Sequence, residues 1–159
     1  MTQIIYMLQF KGEATPVGTS ARVLKATMTA TSCTMTTVVG RDGLQGILEP
    51  AAGGDATFES EVTFIGGFES EVTSAGDAGF KETGMITFGE GRDRLRFSTV
   101  GQGYIAPGAD PDLKHGCVMW QVDGGEGRFD GARGLIASNF TVSNDGKVTD
   151  YQLGVLYVK

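Results

Sequence analysis

Apolar and polar side chains alternate with a period of two along almost the whole chain. At the start, Ile4, Tyr6, Leu8 and Phe10 share one parity, while Ile5 and Met7 share the other with Gln3 and Gln9. That pattern predicts a strand buried on one face and half-buried on the other. Pro16 breaks it, and residues 21–39 then run dense in Thr and Val, whose χ1 restriction favours strands. Only "SARVLKAT", residues 20–27, could form a short helix instead. Further strands are predicted over residues 80–88, 94–104, 115–122, 134–143 and 147–158, the last two joined by the hairpin signal Asn144-Asp145-Gly146.

The hexapeptide "FESEVT" occurs at residues 58–63 and again at 68–73. Phe58, Ser60, Val62 and Phe64 fall on one face, with Glu59 and Glu61 on the other; the second copy sets Phe68, Ser70 and Val72 against Glu69 and Glu71. Directly opposed residues of an antiparallel hairpin point to the same face. A three-residue loop, Ile65-Gly66-Gly67, pairs Phe64 with Phe68 and keeps the faces separate, so a hairpin with that loop is predicted. In all, seven to nine antiparallel strands with short connections must close or pack to hide their edges. The expected fold is all-β: a single antiparallel up-and-down β-barrel of about eight strands with an apolar lumen.

Composition narrows the function. A chain of 159 residues with 40% apolar and 20% charged content fits one domain, residues 1–159. The formal net charge of −6 disfavours nucleic acid and an anionic membrane surface as partners. No apolar run approaches the roughly 20 residues that span a bilayer, and the N-terminus lacks the basic and small-residue features of a signal peptide, so a cytoplasmic location is expected. Cys33 and Cys117 could form one disulfide, but free, buried thiols are the expectation in that setting.

The 25 glycines are about twice ordinary usage, and five of them fall in "GGEGRFDGARG", residues 124–134. A phosphate cradle would need a helix to follow, but "LIASNFTVS" reads as a strand. A calcium loop would need acidic residues in a frame that Asp123, Glu126 and Asp130 do not supply. The remaining reading is structural: the glycines tighten a corner so that Phe129 plugs the barrel end.

"VDGGEGRFDGARG" resembles the late glycine motif of the allene oxide cyclase and dirigent protein superfamily, and "TVGQGYI", residues 99–105, resembles its small-Gln-Gly-aromatic segment. The resemblance runs from residue 99 to 158. It implies an eight-stranded barrel with an apolar lumen, assembled as a homo-oligomer (dimer or trimer). It also implies a hydrophobic small-molecule substrate whose cyclisation or coupling is steered without a cofactor. The catalytic acids of the plant proteins have no match here.

Candidate chemistry is sparse. His115 is the only histidine, which excludes a multi-His metal site; it is either a general acid–base or a solvent-facing residue at a strand start. Glu59, Glu61, Glu69 and Glu71 cluster on one face, which is either a carboxylate group in the lumen or a solvated exterior. Arg92, Arg94 and Arg96 face solvent or pair with those glutamates. Asn139 needs a partner if it points inward. The expected site places Glu71 or His115 in proton transfer and Tyr104 as a hydrogen-bond donor, with Tyr6, Phe97 and Trp120 as ligand walls. The function expected is a cofactor-independent cyclase or isomerase. Its alternatives are a non-catalytic binding protein for an apolar ligand and a filled structural barrel.

Overall fold

A computed structural model describes residues 1–30, 36–40, 43–47, 56–65 and 78–159, with backbone only for residues 20, 21, 36–40, 43–47 and 78. The elements are β1 (Thr2–Val17), β2 (Ser20–Ala30), β3 (Thr36–Gly40), β4 (Gly43–Ile47), β5 (Ala56–Ile65), β6 (Ala78–Phe88), β7 (Asp93–Thr99), β8 (Gly103–Pro107), β9 (Leu113–Glu126), a 3₁₀ turn (Gly127–Phe129), β10 (Arg133–Ser143) and β11 (Lys147–Val158). The residues that admitted a short helix are extended in β2. Their pairing with β1 and β5 decides the matter.

Every pairing in the main sheet is antiparallel, and the order β10-β11-β1-β2-β5-β6-β7-β9 closes through β9 and β10. Both β7 and β8 lie between β6 and β9, so they fill one place in the ring, which therefore has eight staves. β3 and β4 form a separate two-stranded ribbon. Chain order equals spatial order around the ring, as expected of an up-and-down barrel.

The first hexapeptide lies in β5, while the second, and Gly66-Gly67 of the loop expected to join them into a hairpin, lie outside the described residues. β5 is paired on one edge with β2 and on the other with β6, which sets Phe64 opposite Phe80. The inferred faces hold, since Phe58 and Ser60 are buried while Glu59 and Glu61 are exposed. Phe80 satisfies the same parity requirement that selected Phe68; periodicity fixes the face of a strand and leaves its partner open. Residues 66–77, which include Phe68 and Glu71, lie outside the described residues.

The interior shows where many of the glycines go. Phe97 lies opposite Gly84, Phe80 opposite Gly103, Phe140 opposite Gly116 and Tyr6 opposite Gly154. A Cβ on those glycines would come within 2.6, 2.3, 2.2 and 2.1 Å of the ring facing each. Each ring thus occupies the space of its neighbour's missing side chain, which fits large aromatics inside a narrow ring of strands. Phe10, Phe58, Phe97 and Trp120 pack in sequence, with centroids 5.9 Å apart for Phe10–Phe58, 5.3 Å for Phe58–Phe97 and 4.4 Å for Phe97–Trp120.

The glycine-rich segment closes one end of the barrel. Phe129 is buried and its ring sits 5.1 Å from that of Phe88. Gly127 has φ 65°, and a Cβ there would lie 2.3 Å from Asp93 Oδ1. Asp93 accepts the Arg128 backbone N–H at 2.9 Å and the Arg128 Nε–H at 2.6 Å, pinning the turn. These hydrogen bonds, from the backbone first, hold the Asp93 carboxyl below its ordinary pKa. Arg94 and Arg96 both pair with Glu126 on β9, rather than with Glu59 or Glu61 as the sequence allowed.

The ring–glycine pairs make a direct prediction. Gly103→Ala should cost about 1–3 kcal/mol in urea denaturation, as overpacking does. Adding Phe80→Leu should recover part of that loss, making the double variant more stable than the sum of the single effects by about 0.5 kcal/mol or more. Strict additivity would show that the ring and the glycine do not share space.

Candidate functional site

Toward the end of the barrel opposite Phe129, the packed interior gives way to a cavity of 540 Å³. Ala14, Pro16, Asn144 and Gly146 lie at its rim; Phe58, Phe64, Phe80, Trp120, Phe140 and Val142 supply apolar wall. The β10–β11 turn forms as the Asn-Asp-Gly signal predicts, with the Gly146 N–H bonded to the Ser143 carbonyl at 2.9 Å and Gly146 at φ 83°. Lys114 and Asp145 also line the cavity, and two of its acids, Glu82 and Asp150, are buried to 6% and 1% exposure.

The two acids occupy facing walls. Glu82 is on β6 and Asp150 on β11, four places apart in the eight-stave ring. Each is held from the adjacent stave by a serine: Ser60 Oγ donates to Glu82 Oε1 at 2.5 Å, and Ser138 Oγ donates to Asp150 Oδ1 at 2.5 Å. Asp150 Oδ2 also accepts from Gln152 Nε2 at 2.7 Å, and Tyr6 OH donates to Gln152 Oε1 at 3.2 Å. Asp150 therefore ends a relay of oriented donors reaching down to Tyr6.

The break between β7 and β8 positions Glu82. The paired registers of β6 with β7 and with β8 are offset there, and the Glu82 backbone turns to a side chain. Its N–H donates to Thr99 Oγ1 at 2.8 Å, and the Thr99 hydroxyl donates to the Glu82 carbonyl at 3.0 Å. Irregularities of this kind recur beside functional side chains because they re-aim them.

Environment separates the two acids. Burial dominates at Glu82 and raises its pKa to about 8; the Ser60 hydrogen bond pulls it back, and the Asp150 charge pushes it further up. Burial also raises Asp150, but hydrogen bonds from Ser138 and Gln152 restrain it to about 6. At neutral pH Glu82 is mainly a neutral acid and Asp150 mainly a carboxylate. Two acids whose environments push their pKa values apart divide into a proton donor and a proton acceptor. Burial, and then the Asp150 charge, raise the Tyr6 pKa well above 10.0, so its hydroxyl keeps its proton.

Trp120 adds a third polar group. Its side chain is 1% exposed, it lines the cavity, and its Nε1–H has no hydrogen-bond partner among the described residues. The N–H is close enough to Glu82 to favour the carboxylate slightly, yet it lacks the geometry of a hydrogen bond. An unpaired buried donor of this kind costs about 1–3 kcal/mol.

The residues expected at the site divide by face. Trp120 lines the cavity, whereas Tyr6 and Phe97 are buried in the packed interior beside it. Tyr104 and His115 are on the outside of the barrel, because Gly103, Val118 and Trp120 take the inward parity of β8 and β9. They share an outer groove of 600 Å³ with Cys117, Asn139 and Tyr151. The His115 ring packs over Gly108, where a Cβ would lie 2.5 Å from its Cδ2. Cys117, expected to be buried, is exposed. Asn139 is also exposed and needs no interior partner. Glu71 and Cys33 lie outside the described residues. Among the described residues, no cluster of three or more His, Cys, Asp or Glu is gathered as for a metal ion.

The sequence carried a signal for both acids that went unused. Glu82 shares its parity with Phe80, Ile86 and Phe88, and Asp150 shares its parity with Val148, Leu156 and Val158. A single acid within a buried apolar register marks an interior carboxylate.

These features define a class: a closed antiparallel barrel whose half-open lumen carries an acid pair. No family model matches the chain, and no curated protein sequence matches it. Among solved structures, the fold is similar to that of a pterocarpan synthase dirigent protein, with a TM-score of 0.50 and 15% sequence identity, covering 100% of this chain and 88% of that one. The architecture is thus dirigent-like. At that identity the likeness speaks for the fold alone.

The acid pair predicts a pH-dependent stability. In the unfolded chain Glu82 ionises near 4.5, whereas in the barrel it keeps its proton to about 8. Between these values only the unfolded state releases the proton, so stability is intact below the lower value and falls as pH rises through the higher one. Glu82→Gln removes that penalty while preserving shape. In thermal denaturation it should gain on the order of a few kcal/mol more at about pH 8.5 than at about pH 4.5. An equal change at both pH values would show that Glu82 ionises freely in the folded barrel.

Proposed function

We propose that the lumen binds a hydrophobic small molecule and steers its cyclisation or isomerisation by proton transfer, with Glu82 as general acid and Asp150 as general base. The observation that carries this reading is the pair of facing buried carboxylates, of different proton affinity, in a mainly apolar cavity that Lys114, Asn144 and Asp145 also line. A volume of 540 Å³ is within the range that encloses a small organic ligand. The apolar wall binds the molecule and restricts its conformers; the acids act at its two faces, so the protein needs no cofactor for this chemistry. The neighbouring dirigent protein, named as a pterocarpan synthase, supports a barrel that guides the fate of a small molecule.

Self-association is part of the same proposal. The outer surface of β9, β10 and β11 exposes Met119, Leu135, Tyr151, Leu153 and Tyr157, whereas the outer surface of β2, β5 and β6 carries Lys25, Glu59, Glu61 and Lys81. In a chain of net charge −6, a mainly apolar face, with Asp123, Arg133 and Lys147 towards its ends, is where two copies meet with least repulsion. The combined change Met119→Glu and Leu153→Glu should convert an oligomer to a monomer in sedimentation velocity. A wild-type monomer at all concentrations would refute self-association.

Trp120 is the only tryptophan, so its fluorescence reports on the lumen wall. The neutral apolar dye N-phenyl-1-naphthylamine should quench it saturably by energy transfer. Val142→Phe, which fills the cavity near its mouth, should weaken that binding about tenfold or more. Absence of saturable quenching in the wild-type protein would mean that the interior is filled, and would remove the ligand reading.

A further inference from the structure

The unpaired Trp120 Nε1–H and the Glu82 carboxyl are neighbours at one wall of the cavity, and Asp150 stands on the wall facing Glu82. Ser60 already occupies Glu82 Oε1. The protonated carboxyl can therefore offer its O–H from the other oxygen, beside an N–H that makes no well-formed hydrogen bond among the described residues. We propose that Trp120 Nε1–H and Glu82 form a two-donor cradle for one ligand oxygen, so that the substrate is an apolar ketone or enone and Asp150 removes the proton next to its carbonyl. This inference rests on the acid–base reading above, narrows the part of Glu82 to a hydrogen-bond donor that keeps its proton, and adds the substrate's functional group and the role of Trp120.

The step balances without a further reactant. The Asp150 carboxylate takes a proton from the carbon adjacent to the carbonyl. The C–H electron pair becomes the carbon–carbon double bond of an enolate, and the carbonyl π pair moves onto oxygen. That oxygen gains negative charge where two donors already point, which favours the transition state over the ground state. Asp150 then returns the proton to a conjugated carbon, giving an isomer. In a substrate with an internal electrophile, the enolate carbon instead forms the ring bond, the displaced pair goes to the electrophile's oxygen, and that oxygen takes the proton from Asp150. Ser138 and Gln152 hold Asp150 in place throughout.

The test uses 1-tetralone and its oxygen-free analogue tetralin on the full chain. The single indole N–H resonance should move downfield with tetralone and not with tetralin. Exchange of the tetralone α-protons with D₂O should run faster than in buffer alone. Asp150→Asn should abolish that acceleration, and Trp120→Phe should reduce it about tenfold, the equivalent of one hydrogen bond. If Trp120→Phe does not fold, the N–H shift in the unaltered protein decides the matter. Equal N–H shifts with both probes, or exchange no faster than in buffer, would overturn the cradle while leaving the binding lumen intact. Failure of either probe to bind, together with failure of the apolar dye, would remove the lumen reading and the cradle with it.

Discussion

The architecture depends on the fit of an aromatic ring over a glycine of the adjacent strand. A ring of eight staves has an interior too narrow for a large aromatic ring at every inward position. Gly84, Gly103, Gly116 and Gly154 leave the gaps, and Phe97, Phe80, Phe140 and Tyr6 fill them. Once those rings are seated, the end closed by Phe129 is packed solid and the other end is not. The cavity follows from the way the aromatics are distributed.

The same packing sets the chemistry. Glu82 and Asp150 are buried among aromatic and aliphatic side chains, and burial is the first cause of both raised pKa values. What distinguishes the two acids is the number of donors reaching each one. Asp150 receives Ser138 and Gln152, the latter held by Tyr6, and ionises near neutrality. Among the described residues Glu82 receives one well-formed hydrogen bond to its carboxyl, from Ser60, with the Trp120 N–H nearby; it faces the charge of Asp150 and stays protonated. A neutral acid opposite a carboxylate therefore results from strand register and a few hydroxyl groups.

Much of this fold was legible because period-two patterning states which residues share a face. Most of the strands and the shared face of Glu59 and Glu61 follow from it, while the Asn144-Asp145-Gly146 turn and the corner built on residues 124–134 follow from their glycines. Parity does not state which strand pairs with which, so Phe64 found Phe80. Nor does it state which face is inside when both are mixed. Tyr104 and His115 alternate with Gly103 and Gly116, and a glycine gives no hydropathy to mark the interior. The informative residues were the ones that broke the pattern, Glu82 and Asp150 among apolar neighbours. Their significance is energetic: a carboxyl in that register is buried, and the fold must accommodate it with donors and a shifted pKa.

The central claim is that the lumen holds one neutral and one charged carboxyl group at neutral pH. Its most direct test is a ¹³C NMR titration of side-chain-labelled glutamate, with the Glu82 carboxyl assigned by its loss in Glu82→Gln. The account predicts a midpoint near 8, well above the ordinary 4.5. A midpoint at the ordinary value would mean that Glu82 is solvated, and that the barrel does not contain the acid pair on which its proposed chemistry rests.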